Sequence, residues 1–140
     1  MVAGARPQFV KLAPVFKALN ASGHFLIKIV HTGQHYDHLL SGIFFSELNI
    51  PDPDYNLGVG SASQAVQIAE ILLKLSPIIQ AENPDLLIVF GDTNSTAAAA
   101  LCAAIHKIPV THIEAGLREF DKNIPEEINK LVTDSVSTLY

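Results

Sequence analysis

Short runs of consecutive apolar residues alternate along the chain with longer stretches in which apolar positions recur every three or four residues. The first pattern is that of strands buried on both faces and the second that of helices with one face on a core. Their alternation is the pattern of βαβ units. Met1–Ala3 forms a strand stub that ends at Gly4. Pro7 opens a helix to about Asn20, with Phe9, Leu12, Ala13, Phe16 and Leu19 at helical spacing, and Ser22-Gly23 stops it. Leu26–His31 is expected as a second strand and Asp37–Leu48 as a second helix. Asn49–Gly60 holds Pro51, Pro53 and two glycines, so it is mostly loop, with Tyr55–Leu57 as a brief edge strand. Ser61 or Ser63 can cap a long helix to about Ala81 by accepting from a free amide of its first turn. Pro77 should bend or divide that helix. Leu86–Phe90 and Pro109–Ile113 are expected as buried strands, Thr93–His106 as an alanine-rich helix, and Pro125–Leu139 as a final helix.

These elements predict one domain over residues 1–140, a doubly wound parallel α/β sheet of Rossmann-like type with helices on both faces. Right-handed crossovers give the strand order edge, second, first, third, fourth. The chain is 49% hydrophobic and only 16% charged, a balance that supports a packed core. Its net charge is −5 and its nine Lys and Arg are scattered, which argues against nucleic acid or an anionic membrane as partner. Cys102, the only cysteine, sits in the apolar stretch Ala97–Ile105 and is expected as a packing residue. No intramolecular disulfide is possible, which fits a reducing compartment. No run reaches the roughly 18 apolar residues of a membrane span, and MVAGARP is no signal peptide, so a cytoplasmic location is expected.

Ligands of such sheets bind beyond the carboxyl ends of the strands, where the strand order reverses. Four segments end there: Gly4-Ala5-Arg6-Pro7, Thr32-Gly33-Gln34-His35, Gly91-Asp92-Thr93 and Glu114-Ala115-Gly116-Leu117-Arg118. Arg6, Lys11 and the amides that open the first helix form a candidate diphosphate cradle, with solvated surface charge as the plain alternative. Neither Gly-x-Gly-x-x-Gly nor a Walker lysine loop follows the first strand, so nicotinamide cofactors and ATP lose support. Asp92 and Glu114 each end a buried strand. An N-cap role stays open for Asp92, whereas a glutamate that ends an apolar strand before Ala-Gly has little structural reason to be there. Glu126 and Glu127 sit where acids complement a helix dipole. The six histidines show no metal-binding spacing, and no metal is expected.

Six segments then follow in a recognisable order: GARPQFVKLAPV (Gly4–Val15), TGQHYD (Thr32–Asp37), PDYNLGVGS (Pro53–Ser61), VFGDTNST (Val89–Thr96), HIEAGLREFD (His112–Asp121) and IPEEINKLVTD (Ile124–Asp134). Together they resemble the non-hydrolysing UDP-N-acetylglucosamine 2-epimerases over essentially the whole chain. The resemblance implies the N-terminal half of a glycosyltransferase-B fold, in which two Rossmann-like domains enclose the active site. It implies interconversion of UDP-N-acetylglucosamine and UDP-N-acetylmannosamine with neither metal nor nicotinamide. The C2 proton is not beside a carbonyl, so UDP is eliminated across C1–C2 to give a 2-acetamidoglucal and then added back with the proton on the other face. Carboxylates move the protons and cations stabilise the departing diphosphate.

By matched motif, Asp92, Glu114 and Glu126 resemble the catalytic acids, and Arg6, Lys11 and Arg118 are expected to bind substrate. Gln34 and His35 match a loop that contacts an activating second UDP-N-acetylglucosamine in some bacterial members, although Tyr36-Asp37 departs from its usual continuation. A C-terminal domain is expected to be absent, leaving the isolated chain without activity unless another chain supplies that half; a homodimer is the other partner expected, and a catalytically inactive truncated fragment is the non-enzymatic alternative. UDP-2,3-diacetamido-glucuronic acid is the alternative substrate, to which Phe9 and Tyr36-Asp37 lean.

Overall fold

The computed structural model of the chain describes residues 1–33 and 44–140. Its elements run β1 (Val2–Ala3), α1 (Arg6–Ser22), β2 (Val30–His31), β3 (Tyr55–Asn56), α2 (Gln64–Glu82), β4 (Leu87–Phe90), α3 (Asn94–Ile105), β5 (Val110–Ile113) and α4 (Pro125–Val136). Residues 44–48 are also helical, while most of the expected Asp37–Leu48 helix lies outside the described residues. All strand pairs are parallel, as the α/β expectation requires.

The hydrogen-bonded ladders fall into two pieces, β1-β2-β3 and β4-β5, and β1 lies alongside β4. The expected order, β3-β2-β1-β4-β5, is therefore kept, with the ladder interrupted between β1 and β4. Alternate residues of a strand point to opposite faces. Thus Val2, Leu87 and Val89 join one core with Ile71 and Leu75 of α2 and the alanines of α3, while Ala3, Ile88 and Phe90 join the other with Phe9 and Leu12 of α1. Burying a side chain such as Phe90 or Leu12 contributes roughly 1.5–3 kcal/mol. Ala98, Ala99, Ala100 and Ala103 are wholly buried, and their small side chains let α3 lie close against its neighbours.

Several boundaries differ from the sequence pattern for local reasons. The second strand shrinks from Leu26–His31 to Val30–His31; Leu26 is 91% exposed and finds no core to enter. Helix α2 is continuous through Pro77, and Ser63 occupies its N-cap position without a capping hydrogen bond from its hydroxyl. Helix α4 stops at Val136 because the next residues turn to the open edge of β5. There the Thr138 and Leu139 amides donate to the Val110 carbonyl at 2.8 and 3.1 Å, and the His112 amide donates to the Leu139 carbonyl at 3.0 Å. Cys102 is buried, and burial pushes its thiol pKa up, as befits a packing residue.

Candidate active site

Strand β4 ends in Gly91, whose φ of +65° turns the chain sharply before Asp92. Thr93, not Asp92, is the N-cap of α3; its hydroxyl accepts from the Thr96 amide at 3.4 Å. The capping alternative for Asp92 is thereby removed. Its carboxylate Oδ2 lies 3.3 Å from Lys130 Nζ, and its carbonyl accepts from Asn129 Nδ2 at 2.9 Å. Both partners come from α4.

Phe90 pairs with Ile113 in the β4-β5 register, and the Gly91 amide donates to the Ile113 carbonyl at 3.0 Å. The two strands therefore deliver Asp92 and Glu114 to the same end of the sheet. Glu114 adopts φ +77°, a left-handed conformation uncommon for a residue with a side chain. Its carboxylate pairs with Lys11 of α1. A methyl at Gly91 would sit 3.3 Å from Glu114 Oε2 and 3.5 Å from Lys11 Nζ, so the pair lies directly over a glycine.

Behind Glu114 lies a buried hub. His112, fully buried, places Nδ1 2.6 Å from Asp134 Oδ1 and Nε2 2.7 Å from the Gly91 carbonyl. The ring is thus held at both nitrogens, by a carboxylate on one side and a backbone carbonyl on the other. Asp134 Oδ2 also accepts from Arg118 at 2.6 Å and from the Gly116 amide at 3.2 Å. Burial works against ionisation of Asp134, but Arg118, His112 and that amide outweigh it and hold its carboxyl below the ordinary aspartate range. Arg118, expected to bind substrate, is thus committed to Asp134 and to the Leu117 carbonyl.

The expected phosphate cradle at α1 is also altered. Gln8, buried, accepts from the Gly4 and Ala5 amides at 2.7 and 3.0 Å, and donates to the Phe90 carbonyl at 2.7 Å and to Thr96 Oγ1 at 2.8 Å. The Gln8 amide donates to the Ala5 carbonyl, and Pro7 has no amide hydrogen. Most amides of that turn are therefore engaged, which leaves the side-chain cations to meet an anion. Arg6 is exposed and lies over the Phe44 ring at 4.8 Å, and no described carboxylate pairs with it.

The two glutamates that open α4 part ways. Glu127 is buried and accepts from the Glu119 amide at 2.9 Å. Glu126 is exposed and makes no hydrogen bond or ion pair among the described residues. It precedes Asn129 and Lys130 by three and four positions, so it occupies the helix face that grips Asp92. Gln34 and His35 lie outside the described residues. Sequence reasoning passed over His112, Asp134, Asn129, Lys130 and Glu119. A signal existed for His112, a polar residue at a core-facing position of an apolar strand. Lys130 and Asp134 offered only their spacing on α4. Among the described residues, no three of His, Cys, Asp and Glu gather closely enough to hold a metal ion.

The family model described as UDP-N-acetylglucosamine 2-epimerase matches residues 17–140. This chain belongs to that family. It is 52% identical over 138 residues to a UDP-N-acetylglucosamine 2-epimerase homolog of Methanococcus maripaludis, covering 99% of this chain and 38% of that protein. It is 45% identical over 138 residues to the UDP-2,3-diacetamido-2,3-dideoxy-D-glucuronate 2-epimerase of Pseudomonas aeruginosa, covering 99% and 39%. The crystal structure of the Methanocaldococcus jannaschii UDP-GlcNAc 2-epimerase in complex with UDP-GlcNAc and UDP superposes with a TM-score of 0.93 at 44% identity, covering 98% of this chain and 38% of that one. That of the Neisseria meningitidis enzyme bound to UDP-GlcNAc gives 0.88 at 36%, covering 97% and 38%. The chain thus spans little more than a third of the length of the relatives it matches, and its parallel α/β fold is that of the corresponding part of these glycosyltransferase-B type epimerases.

Proposed function

We propose that residues 1–140 form a single Rossmann-like domain that carries the acid–base half of a UDP-N-acetylglucosamine 2-epimerase site, completed by a further domain. The observation that carries this reading is the delivery of Asp92 and Glu114 to one sheet end by hydrogen-bonded neighbouring strands, with Lys11 beside Glu114. In the proposed reaction, elimination breaks the C1–O bond to UDP and the C2–H bond together, and re-addition restores both with inversion at C2. Asp92, Glu114 and Glu126 move the protons, and Arg6 and Lys11 offset the charge that develops on the departing diphosphate. Arg118 acts in this reading by shaping the turn that presents Glu114. Gln34 and His35 remain candidates for contact with a second nucleotide sugar. Action on cytoplasmic UDP-sugars fits the single buried cysteine and the absence, among the described residues, of a helix long and apolar enough to cross a membrane.

Proton NMR of UDP-N-acetylglucosamine in deuterium oxide tests this, with the chain alone and with the C-terminal portion of a relative supplied. Loss of the C2 proton signal and appearance of the manno epimer in the mixture alone is the expected result. No exchange in either sample would refute the reading. UDP-2,3-diacetamido-glucuronic acid is kept as second substrate, because the Pseudomonas aeruginosa relative is 45% identical and the Methanocaldococcus jannaschii epimerase equally so. The same spectra recorded on each sugar separate the two.

A further inference from the structure

We infer that Lys130 is a positioning residue that fixes the Asp92 carboxylate in one orientation, an inference that rests on the epimerase reading of Asp92. The Lys130 side chain is 7% exposed, and an ammonium so enclosed is costly unless each hydrogen finds an acceptor. Its three hydrogens have three carboxylate oxygens: both oxygens of Glu119 at 2.6 Å and Asp92 Oδ2 at 3.3 Å. Hydrogen bonding to Glu119 first, against the penalty of burial, and then the Asp92 carboxylate raise the Lys130 pKa above that of an ordinary lysine.

Glu119 engages the ammonium with both oxygens, and Asp92 Oδ2 stands 3.3 Å from the same ammonium as its second ion-pair partner. The adjacent Asn129 holds the same residue by its backbone. Its Nδ2 donates to the Asp92 carbonyl and, at 3.0 Å, to Asn94 Oδ1, while its own Oδ1 receives Gln64 Nε2 at 3.2 Å. One turn of α4 therefore grips Asp92 twice, by main chain and by Oδ2. Its other oxygen has no partner among the described residues, on a side chain 38% exposed. A carboxylate that must transfer a proton along one line gains from being held this way, since small misplacements of a catalytic group can lower rates by about 100-fold.

The double variant E119Q/K130M removes both the enclosed ammonium and its exposed carboxylate partner at similar volume, so that no buried charge is left unpaired. Three-bond couplings of the Asp92 side chain in the 140-residue chain report its χ1. A single rotamer is expected in the unaltered chain and an average over rotamers in the double variant. A single rotamer retained in a folded double variant overturns the inference. Should that variant fail to fold, K130Q gives the same comparison, since it keeps a donor for Glu119 but shortens the reach to Asp92. In the two-part epimerase sample, the double variant is expected to lose at least ~30-fold in kcat with KM within about twofold. Exchange at the unaltered rate would overturn the inference. If the unaltered sample shows no exchange, the epimerase reading fails, while the rotamer measurement still decides whether Lys130 positions Asp92.

Discussion

Replacing Asp134 by asparagine removes the one anion that His112, Arg118 and the Gly116 amide share. The His112 ring is fully buried, Asp134 is 11% exposed by side chain and Arg118 is 24% exposed. Asparagine can accept from one donor with its Oδ1, but its amide hydrogens then face the others. Removing one partner of a buried ion pair costs about 3–5 kcal/mol. Water can reach the Arg118 end and recover part of that, which places the expected loss at roughly 2–4 kcal/mol. For a domain of this size such a loss corresponds to a fall in Tm of roughly 10 °C. Urea and thermal unfolding of the D134N chain measure it, with E70Q as control, because the Glu70–Lys74 pair is exposed and worth about 0.5 kcal/mol or less. A double-mutant cycle with H112Q should return a coupling above ~1 kcal/mol. A D134N loss below ~1 kcal/mol, or strict additivity with H112Q, would refute the hub as a coupled unit.

The same carboxyl predicts a pH dependence. Asp134 titrates lower folded than unfolded, so its contribution is complete above about pH 4 and fades as pH falls below that. The unaltered chain should lose stability more steeply than D134N in that acid range, and equal slopes would contradict the assignment. Gly4→Ala should unfold the domain or cost well over ~3 kcal/mol, since a methyl there would lie 2.1 Å from Thr32 Oγ1 and 2.2 Å from Ser95 Oγ. Gly23→Ala, at φ +69° with nothing within 4 Å, should lose only about 1 kcal/mol, and chemical denaturation distinguishes the two mechanisms. Glu114→Gly should be more stable than Glu114→Ala by about 1 kcal/mol, because glycine relieves the left-handed backbone that alanine retains, while both abolish C2 exchange. Equal stability of the two would remove the strain from the account.

Much of this architecture was legible from residue pattern. The apolar run Leu87–Phe90 is a strand covered on both faces, and its continuous hydrophobicity reports that directly, whereas Val110–Ile113 carries Thr111 and His112 and buries alternate residues. The ends of those strands located Asp92 and Glu114. Boundaries failed where tertiary contacts decide. Leu26 looks like a strand residue but reaches no core, and Thr138 and Leu139 leave the helical pattern because β5 has an edge to pair with. The roles of polar residues were least legible. Arg118 reads as a ligand-binding cation, and nothing in the sequence shows that Asp134, 16 positions on, is folded against it. Gln8 gave no sign that it would occupy the amides of the first turn, because its partners, Phe90 and Thr96, lie more than 80 residues away.

The two candidate acids are held by opposite means, and the difference bears on how the site works. Asp92 sits on an ordinary turn and is oriented from outside by Asn129 and Lys130. Glu114 is placed by its own backbone, in a left-handed conformation that the Gly91 carbonyl–His112–Asp134–Gly116 chain of hydrogen bonds holds in position. The only described side-chain partner of its carboxylate is Lys11. With the Gly4 and Ala5 amides already satisfied by Gln8, an arriving diphosphate finds cations rather than helix amides, and one of the two nearest by motif is the ammonium now on Glu114. In the proposed reaction, phosphate and Glu114 would compete for Lys11. Binding of the diphosphate would then draw that ammonium away and leave the Glu114 carboxylate without its one described side-chain partner, open to the sugar when it is in place.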